Sequence, residues 1–198
     1  MKKVIVIGCS GAGKSTFARW LRDVTGLPLH YLDMIWHKPD RTTVSHQEFD
    51  DALQNILAAD SWIIDGNYAR TLEMRLAACD TVFFFDFPVA DCLAGVEARR
   101  GTVRADMPWV ETKPDEEFLQ WIREFPQNTL PKIYELLNQY TKDGKKEIHI
   151  FHSRQEADDY NERVYLQWTR GHTVCQCPHR LIMLCCTRTI DISINSVL

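Results

Sequence analysis

The residues with the clearest chemistry are eight near the start of the chain, which read Gly-Cys-Ser-Gly-Ala-Gly-Lys-Ser from Gly8 to Ser15. They fit G-x-x-x-x-G-K-[ST] at every fixed position. Glycines at this spacing let the backbone curl so that successive N–H groups point into one concavity and bind phosphate oxygens. Lys14 is expected to reach the outer phosphates of a nucleoside triphosphate, and the Ser15 hydroxyl to ligate Mg²⁺. The pattern therefore predicts binding of ATP and Mg²⁺ by Gly8, Cys9, Ser10, Gly11, Ala12, Gly13, Lys14, Ser15 and Thr16.

A buried strand and a helix must flank such a phosphate loop (residues 8–15). Residues 4–7 are four consecutive β-formers, as in a strand covered on both faces, and residues 16–24 favour a helix. Strand-like and helical segments then alternate, which predicts parallel βαβ units. The predicted strands cover residues 4–7, 29–32, 62–66, 81–85 and 146–151. The predicted class is therefore α/β: a three-layer P-loop NTPase fold with a five-stranded parallel sheet.

Further helices are expected over residues 45–59, 67–78, 90–100, 115–140 and 155–164. Ser45 and Glu48 have the spacing of a capping box, which marks the start of the first of these. Pro126 and Pro131 must kink or split the long segment 115–140, because proline cannot continue the helical hydrogen bonds.

Aspartates stand at the carboxyl ends of three predicted strands: Asp33, Asp65 and Asp86. In an open parallel sheet these ends share the edge where ligands bind, so the three carboxylates are expected near the phosphate loop. One of them would hold Mg²⁺ together with Ser15. Position alone leaves Asp65 and Asp86 as alternatives for this role.

A basic stretch between two predicted helices has the character of a lid (residues 99–115). Arg99, Arg100 and Arg104 belong to it. A kinase must exclude water from the transferring phosphoryl group and neutralise its charge, and a mobile basic flap does both. The competing interpretation is a solvated helix end, where cations offset the helix dipole. With the phosphate loop in the same chain, we predict a short basic lid insertion whose arginines take part in catalysis.

Length and composition restrict the class of protein. The chain has 198 residues, 25% of them charged, and a net charge of −4, so we expect one ordinary domain and favour neither a membrane nor a nucleic acid as partner. Seven cysteines are an odd count, and one lies in the phosphate loop, which argues against a disulfide framework. With no signal peptide and no membrane-length apolar run in the sequence, we expect a cytoplasmic protein.

The composition changes after residue 164. Residues 165–198 hold four of the seven cysteines and a single acid, Asp191. His172, Cys175, Cys177 and His179 lie close together, but H-x-x-C-x-C-x-H is not a common zinc spacing. We therefore divide the chain into a kinase-like domain, residues 1–164, and a C-terminal tail, residues 165–198, to which the sequence assigns no function.

Several segments resemble one family of P-loop kinases. The sequence WIIDGNYARTLEMRL (residues 62–76), followed by DTVFFFDFP (residues 80–88), is similar to the topology modulation proteins, relatives of adenylate kinase. The resemblance extends to HYLDMIWHKP, RADMPW, EFLQWIREFP and IHIFHSRQEA and spans about residues 1–160. Gly95 and Gln127 depart from it, since the family usually has basic residues at these two places.

The resemblance implies roles for residues at the strand ends. Asp65 and Gly66 match the Asp-Gly of nucleoside monophosphate kinases, which favours Asp65 over Asp86 as the metal acid. The arginine that grips the acceptor in those kinases has its nearest equivalent in Arg70, one place later. Asp33 lies where a related kinase orients or deprotonates an acceptor hydroxyl. The expected substrate-binding residues are Asp33, Trp36, Asp65, Gly66, Tyr68 and Arg70.

Position suggests ring contacts for four further side chains. Arg154 follows the last strand, where its guanidinium would either stack on adenine or form a surface salt bridge. Tyr31, Trp36 and Tyr68 lie at or near strand ends and would wall an acceptor pocket, although aromatic residues at such places more often belong to the core.

The predicted function is transfer of the γ-phosphate of ATP to a small acceptor, with Lys14, Asp33, Arg99, Arg100 and Arg104 as catalytic residues. The sequence lacks the guanine-reading motif N-K-x-D, which argues against a GTPase, and the chain is too short for the additional modules of a motor. The acceptor stays open, with a nucleoside monophosphate as the default by analogy. The alternative is a nucleotide-dependent regulatory or nucleic-acid-associated ATPase without a small-molecule acceptor.

Overall fold

The computed structural model describes residues 1–113, 115–142 and 144–171, with side chains as far as Leu166. The tail from residue 172, including the cluster of histidines and cysteines weighed for zinc, lies outside the described residues. The strands are β1 (Lys3–Gly8), β2 (Leu29–Tyr31), β3 (Trp62–Asp65), β4 (Thr81–Phe85) and β5 (Glu147–Phe151).

The helices are α1 (Lys14–Thr25), α2 (Leu32–Trp36), α3 (His46–Leu57), α4 (Leu72–Ala78), α5 (Val89–Ala98), α6 (Glu116–Asn128), α7 (Leu130–Thr141) and α8 (Arg154–Gly171). A 3-10 turn, Ala69–Thr71, precedes α4. At the start of α3 the Glu48 N–H donates to Ser45 Oγ and the Ser45 N–H to Glu48 Oε2, which is the predicted capping box. Within the described ranges, no helix is long and apolar enough to cross a bilayer.

The strands form one parallel sheet in the order β2-β3-β1-β4-β5. Val4 of the central strand β1 lies beside Ile63 of β3 on one side and Thr81 of β4 on the other. Every residue of β3 and β4 is buried, and so is all of β1 after Lys3, because the sheet is covered on both faces. The predicted α/β class with a five-stranded parallel sheet is confirmed. All five strands also end at the same edge of the sheet, which is where the phosphate loop begins.

Aromatic rings pack α1 and α8 against the sheet. Phe17 of α1 lies 4.7 Å from the Phe83 ring and 5.3 Å from the Phe85 ring. Tyr160 of α8 lies 5.3 Å from Phe83 and 5.6 Å from Phe151. Large buried rings contribute much of the packing energy of a core. Since α1 follows the phosphate loop directly, this packing fixes where the loop ends.

The predicted division of the long helical segment is confirmed, whereas the bounds of β2 and α8 differ from the prediction. β2 is one residue shorter, so Asp33 lies in the first turn of α2 and not at the end of the strand. The long helical segment divides at Thr129, where Pro131 occupies the first turn of α7, a position that requires no N–H donor, whereas Pro126 lies inside α6. The closing helix α8 continues to Gly171, so the predicted domain boundary after residue 164 falls inside a helix.

A buried arginine supports the segment between β3 and α4. Arg75 of α4 is fully buried, and its guanidinium donates to the carbonyl oxygens of Gly66 (2.8 Å), Tyr68 (2.7 Å) and Thr71 (3.4 Å). Burial lowers the pKa of Arg75 to about 10, so the side chain stays charged at neutral pH. The three carbonyl oxygens therefore depend on one cation for their hydrogen bonds.

We predict that Arg75→Met lowers the free energy of unfolding by about 3 kcal/mol, because buried carbonyl oxygens lose a charged donor and no water replaces it. Urea denaturation followed by circular dichroism measures the change. Arg70→Met is the matched control, since Arg70 forms an exposed ion pair with Asp50 and its loss should cost much less. Equal losses in the two variants would contradict the supporting role of Arg75.

Candidate active site

The phosphate loop connects β1 to α1 and contains glycines that the geometry requires. Gly8 and Gly11 have φ angles of +133° and +85°, and a Cβ on either would collide with the backbone of Phe85 or of Cys92. Gly13 is the N-cap of α1, so the free N–H groups and positive dipole end of this helix lie at the loop. Lys14 Nζ donates to the Cys9 carbonyl oxygen at 2.8 Å, which holds the ammonium over the loop.

Asp65 has the burial and the unpartnered oxygen expected of a metal ligand. It is the last residue of β3, it is buried, and its Oδ1 has no hydrogen-bond partner. Burial raises the pKa of Asp65 to about 6, while the charge of Lys14 and the hydroxyl of Ser15 oppose this increase. A buried, unpartnered carboxylate oxygen beside a lysine and a hydroxyl fits a hydrated Mg²⁺, which takes oxygen ligands.

Asp86, the alternative metal acid, has other partners. Its Oδ2 accepts a hydrogen bond of 2.6 Å from the hydroxyl of Tyr134 and lies 3.5 Å from His152 Nδ1. The groups that stabilise the charged form of Asp65, in contrast, are the Lys14 ammonium and the Ser15 hydroxyl of the phosphate loop. Of the two alternatives left by the sequence, the geometry favours Asp65.

Asp33 and three aromatic residues form a wall beside β3. The Tyr68 hydroxyl donates to Asp33 Oδ1 at 2.8 Å, and burial together with Asp33 raises the pKa of Tyr68. Tyr68 stacks on Phe49 at 5.1 Å, and the edge of Trp36 lies 6.3 Å away. Asp33 follows the end of β2 and Asp65 is the last residue of the neighbouring parallel strand β3, so both carboxylates lie at the same end of the sheet. The structure thus brings the predicted acceptor residues Asp33, Trp36 and Tyr68 together.

The lid is a closed loop held by ion pairs. The Gly101 N–H donates to the Glu111 carbonyl oxygen at 2.8 Å, which joins the two ends of the loop. Arg104 is 12% exposed and lies 3.6 Å from Asp106 and 3.3 Å from Glu111. Arg99 Nε lies 3.8 Å from Glu111, and burial, helped by the charge of Arg104, lowers the pKa of Arg99.

Two predicted arginines have other partners. Arg100 pairs with Glu97 on the surface of α5, because its side chain extends along that helix. Arg70 makes two hydrogen bonds, of 2.8 and 2.6 Å, to the Asp50 carboxylate of α3. Arg100 does not line the cleft between the phosphate loop and the lid, and the Arg70 guanidinium is occupied by Asp50. We therefore leave Arg100 out of the catalytic group and Arg70 out of the acceptor site.

A cleft of about 800 Å³ lies between the phosphate loop and the lid. Arg154 at the start of α8 is one of its walls, and its guanidinium donates to the Gly11 carbonyl oxygen at 3.0 Å and lies 5.9 Å from the Phe87 ring. This contact is to the loop itself, not to an acid on the surface. The other wall residues include Lys14, Ser15, Thr16, Asp91, Gly95, Arg99, Arg104 and Asp106.

Sequence reasoning missed several residues of this cleft. Asp106 is buried in the lid between Arg104 and Arg19 of α1, which lies 3.9 Å away. Gly95 departs from the family pattern, and the structure gives the reason. A Cβ there would collide with the Gly11 carbonyl oxygen, so no basic residue fits. Gln127, the other departure, is exposed on α6. A Gly inside a predicted helix was the one available signal.

Known structures match this fold, whereas neither a protein-family model nor a curated protein matches the chain. It is similar to shikimate kinase from Acinetobacter baumannii in complex with shikimate, with a TM-score of 0.56 and 16% identity over 88% of this chain and 96% of that one. It is also similar to shikimate kinase from Bacteroides thetaiotaomicron, with a TM-score of 0.51 and 14% identity over 83% and 96%. At these identities the likeness concerns the fold alone.

The raised pKa of Asp65 has a measurable effect on stability. An acid with a pKa near 6 in the folded chain and 3.8 when exposed binds its proton more tightly when folded. Its contribution to stability is therefore largest below pH 3.8, falls between pH 3.8 and 6, and is lost above. We predict that Asp65→Asn, whose amide stays neutral, raises the free energy of unfolding by about 3 kcal/mol at pH 7.5.

Urea denaturation without divalent cations at pH 7.5 and pH 4.5 tests this prediction, and the gain should shrink at the lower pH. Asp60→Asn, at an exposed position, is the control and should change stability little at either pH. If Asp65→Asn destabilises the chain equally at both pH values, the carboxylate is a structural partner and not a strained functional group.

Proposed function

We propose that this chain is an ATP-dependent phosphotransferase that moves the γ-phosphate to a hydroxyl group of a small acceptor. The observation that carries the proposal is the convergence at one sheet edge of the phosphate loop, the buried Asp65 and the lid arginines. The likeness of the fold to two shikimate kinases supports it. A chain that only binds nucleotide needs no acid on the acceptor side, and the half-buried Asp33 is such an acid.

The loop and α1 hold the triphosphate. Backbone N–H groups of residues 8–15 bind the β-phosphate, and Lys14 exchanges its hydrogen bond to the Cys9 carbonyl for one to the β- and γ-phosphates. Arg154 steadies the loop through the Gly11 carbonyl oxygen and leaves the face of its guanidinium for the adenine ring. Ser15 and Asp65 would hold Mg²⁺, which would neutralise phosphate charge.

Asp33 orients the acceptor and takes its proton. The Tyr68 hydroxyl holds one carboxylate oxygen of Asp33 at 2.8 Å, so the other oxygen is available to accept a hydrogen bond from the acceptor. As the acceptor oxygen attacks the γ-phosphorus, the bond to ADP breaks and the hydroxyl proton passes to Asp33. Trp36 and Tyr68 bound the space beside this carboxylate. Gly66 lies against Leu32, where a Cβ would collide, so its lack of a side chain is explained by packing.

Arg99 and Arg104 act from the lid. Both are held toward the interior by Glu111 and Asp106, where their charges offset the charge that develops on the transferring group. In this position the lid also keeps water away from the γ-phosphate, and without that shielding ATP would be hydrolysed.

The acceptor class follows from what the wall can recognise. A hydroxyl next to a ring or an aliphatic body fits an aspartate flanked by Trp36 and Tyr68. A nucleoside monophosphate is no longer the default acceptor, because Arg70, expected to grip its phosphate, is held by Asp50. Membership of the topology modulation family remains a proposal that rests on the resemblance of residues 62–76.

A panel of acceptors with ATP tests the proposal against the regulatory alternative. Hydroxy acids such as shikimate, sugars and sugar acids, nucleosides, and nucleoside monophosphates are each added, and ADP release is followed with a coupled assay. A small molecule that accelerates ADP release many-fold establishes a kinase. Acceleration only by a protein or by DNA establishes a regulatory ATPase instead.

We predict that Lys14→Ala lowers phosphoryl transfer by about a thousandfold while the chain stays folded, because the variant loses the cation that contacts the outer phosphates. Turnover with the best acceptor measures the loss, and circular dichroism checks the fold. Lys132→Ala, which removes an exposed partner of Glu135 on α7, is the matched control and should turn over normally. Unchanged turnover in Lys14→Ala would remove the mechanism.

We predict that Arg104→Ala lowers kcat about a hundredfold and raises the share of ATP lost to water, since the lid then neutralises and shields less well. Arg100→Ala is the control, because Arg100 pairs with Glu97 outside the cleft. ADP and phosphorylated product are quantified in the same reaction. If both variants behave like the parent chain, the lid has no catalytic role.

A further inference from the structure

Two cysteine thiols lie where the phosphate loop contacts α5. Cys9 is the second residue of the loop and Cys92 lies in the first half of α5, and both are buried. The Cys92 thiol donates to the Phe87 carbonyl oxygen at 3.9 Å, and the interaction between the two thiols lowers the pKa of Cys92 and raises that of Cys9. Neither sulfur has a part in the proposed function, because the loop binds phosphate through its backbone.

The backbones around these thiols are already in close contact. A Cβ on Gly11 would collide with the Cys92 carbonyl oxygen, and a Cβ on Gly95 would collide with the Gly11 carbonyl oxygen. The loop therefore rests directly on α5 with no side chain between them. Because a disulfide brings its two sulfur atoms to about 2 Å from each other, joining Cys9 to Cys92 displaces the loop relative to α5.

We propose that Cys9 and Cys92 are a thiol modification site: a small peroxide joins them in a reversible disulfide, which displaces the phosphate loop and weakens nucleotide binding. Disulfide formation does not depend on the proposed function, whereas the effect on nucleotide binding does. Since both thiols are buried, the oxidant must be small and must enter through a local opening of the loop.

The chemistry balances with hydrogen peroxide as the oxidant. The Cys92 thiolate attacks one peroxide oxygen, the O–O bond breaks, and the leaving hydroxide takes a proton to become water, which leaves Cys92 as a sulfenic acid. The sulfur of Cys9 then attacks the Cys92 sulfur, the S–O bond breaks, and a second water leaves. Two thiols lose two electrons, and one peroxide is reduced to two waters.

Cys92 is the better first nucleophile. The S–H of Cys9 stabilises the Cys92 thiolate, and the charge of Lys14 acts in the same direction, so the pKa of Cys92 is lowered. Cys79 offers an internal control, because it is also buried but burial raises its pKa to about 11. Its thiol contacts the Leu76 carbonyl oxygen, and it lies at the opposite end of β4 from the loop.

The test uses the full 198-residue chain without nucleotide. After hydrogen peroxide treatment, free thiols are alkylated and the digest is mapped by mass spectrometry. We expect a linked Cys9–Cys92 peptide with Cys79 still alkylated, and at least tenfold weaker binding of a fluorescent ATP analogue that dithiothreitol restores. Cys9 and Cys92 that remain thiols, become sulfinic acids, or link to cysteines of the tail overturn the proposal.

Two variants separate the disulfide from general oxidation damage. Cys92→Ser, with Cys92→Ala as a second choice if the serine variant folds poorly, should bind the analogue equally well before and after peroxide. Cys79→Ser should stay as sensitive as the parent chain. Equal loss of binding in Cys92→Ser and the parent overturns the switch. An untreated parent chain that fails to bind the analogue refutes the proposed function, while the peptide map still decides whether the disulfide forms.

Discussion

The contact between the phosphate loop and α5 is the constraint on which the rest of the site depends. Gly11 and Gly95 bring two backbones together with no side chain between them. This contact needs β1 and β4 as neighbours in the sheet, because β1 leads into the loop and β4 leads into α5. It also sets the floor of the cleft from which Lys14 and Arg154 extend. Strand order, two glycines and the phosphate cradle are thus one structural feature.

The buried carboxylate of Asp65 lowers the stability of the folded chain at the position where we propose that a metal binds. Asp65 is buried and ionised at neutral pH, with an oxygen that no group of the described chain satisfies. Burial without a full partner is costly for a carboxylate, and Lys14 offsets that cost only in part. A cation bound next to Asp65 would supply the partner that its Oδ1 lacks. In the absence of ligands the Asp65 carboxylate therefore destabilises the folded chain. Binding of metal and nucleotide beside it would instead stabilise the folded state.

The sequence predicted the sheet and the phosphate loop well, because both depend on local patterns. A buried parallel strand needs a continuous apolar run, and a phosphate cradle needs glycines at fixed spacing. Side-chain partners of long loops depend on tertiary contacts instead. Nothing near Arg70 or Arg100 in the chain indicates that Asp50 and Glu97 hold them, and nothing near Asp106 indicates that it is buried against α1.

The charge balance of the lid explains how half-buried arginines are held beside the phosphate loop. Asp106 and Glu111 stand between three guanidinium groups, those of Arg19, Arg99 and Arg104. The contacts of Arg19 and Arg99 with these carboxylates, at 3.9 and 3.8 Å, are longer than a direct hydrogen bond, so they position the arginines without saturating their donors. Three cations against two carboxylates leave one positive charge in excess. This excess positive charge attracts phosphate groups into the cleft, where N–H donors of the arginines can bind them. Before phosphate binds, the two carboxylates hold the arginines in position.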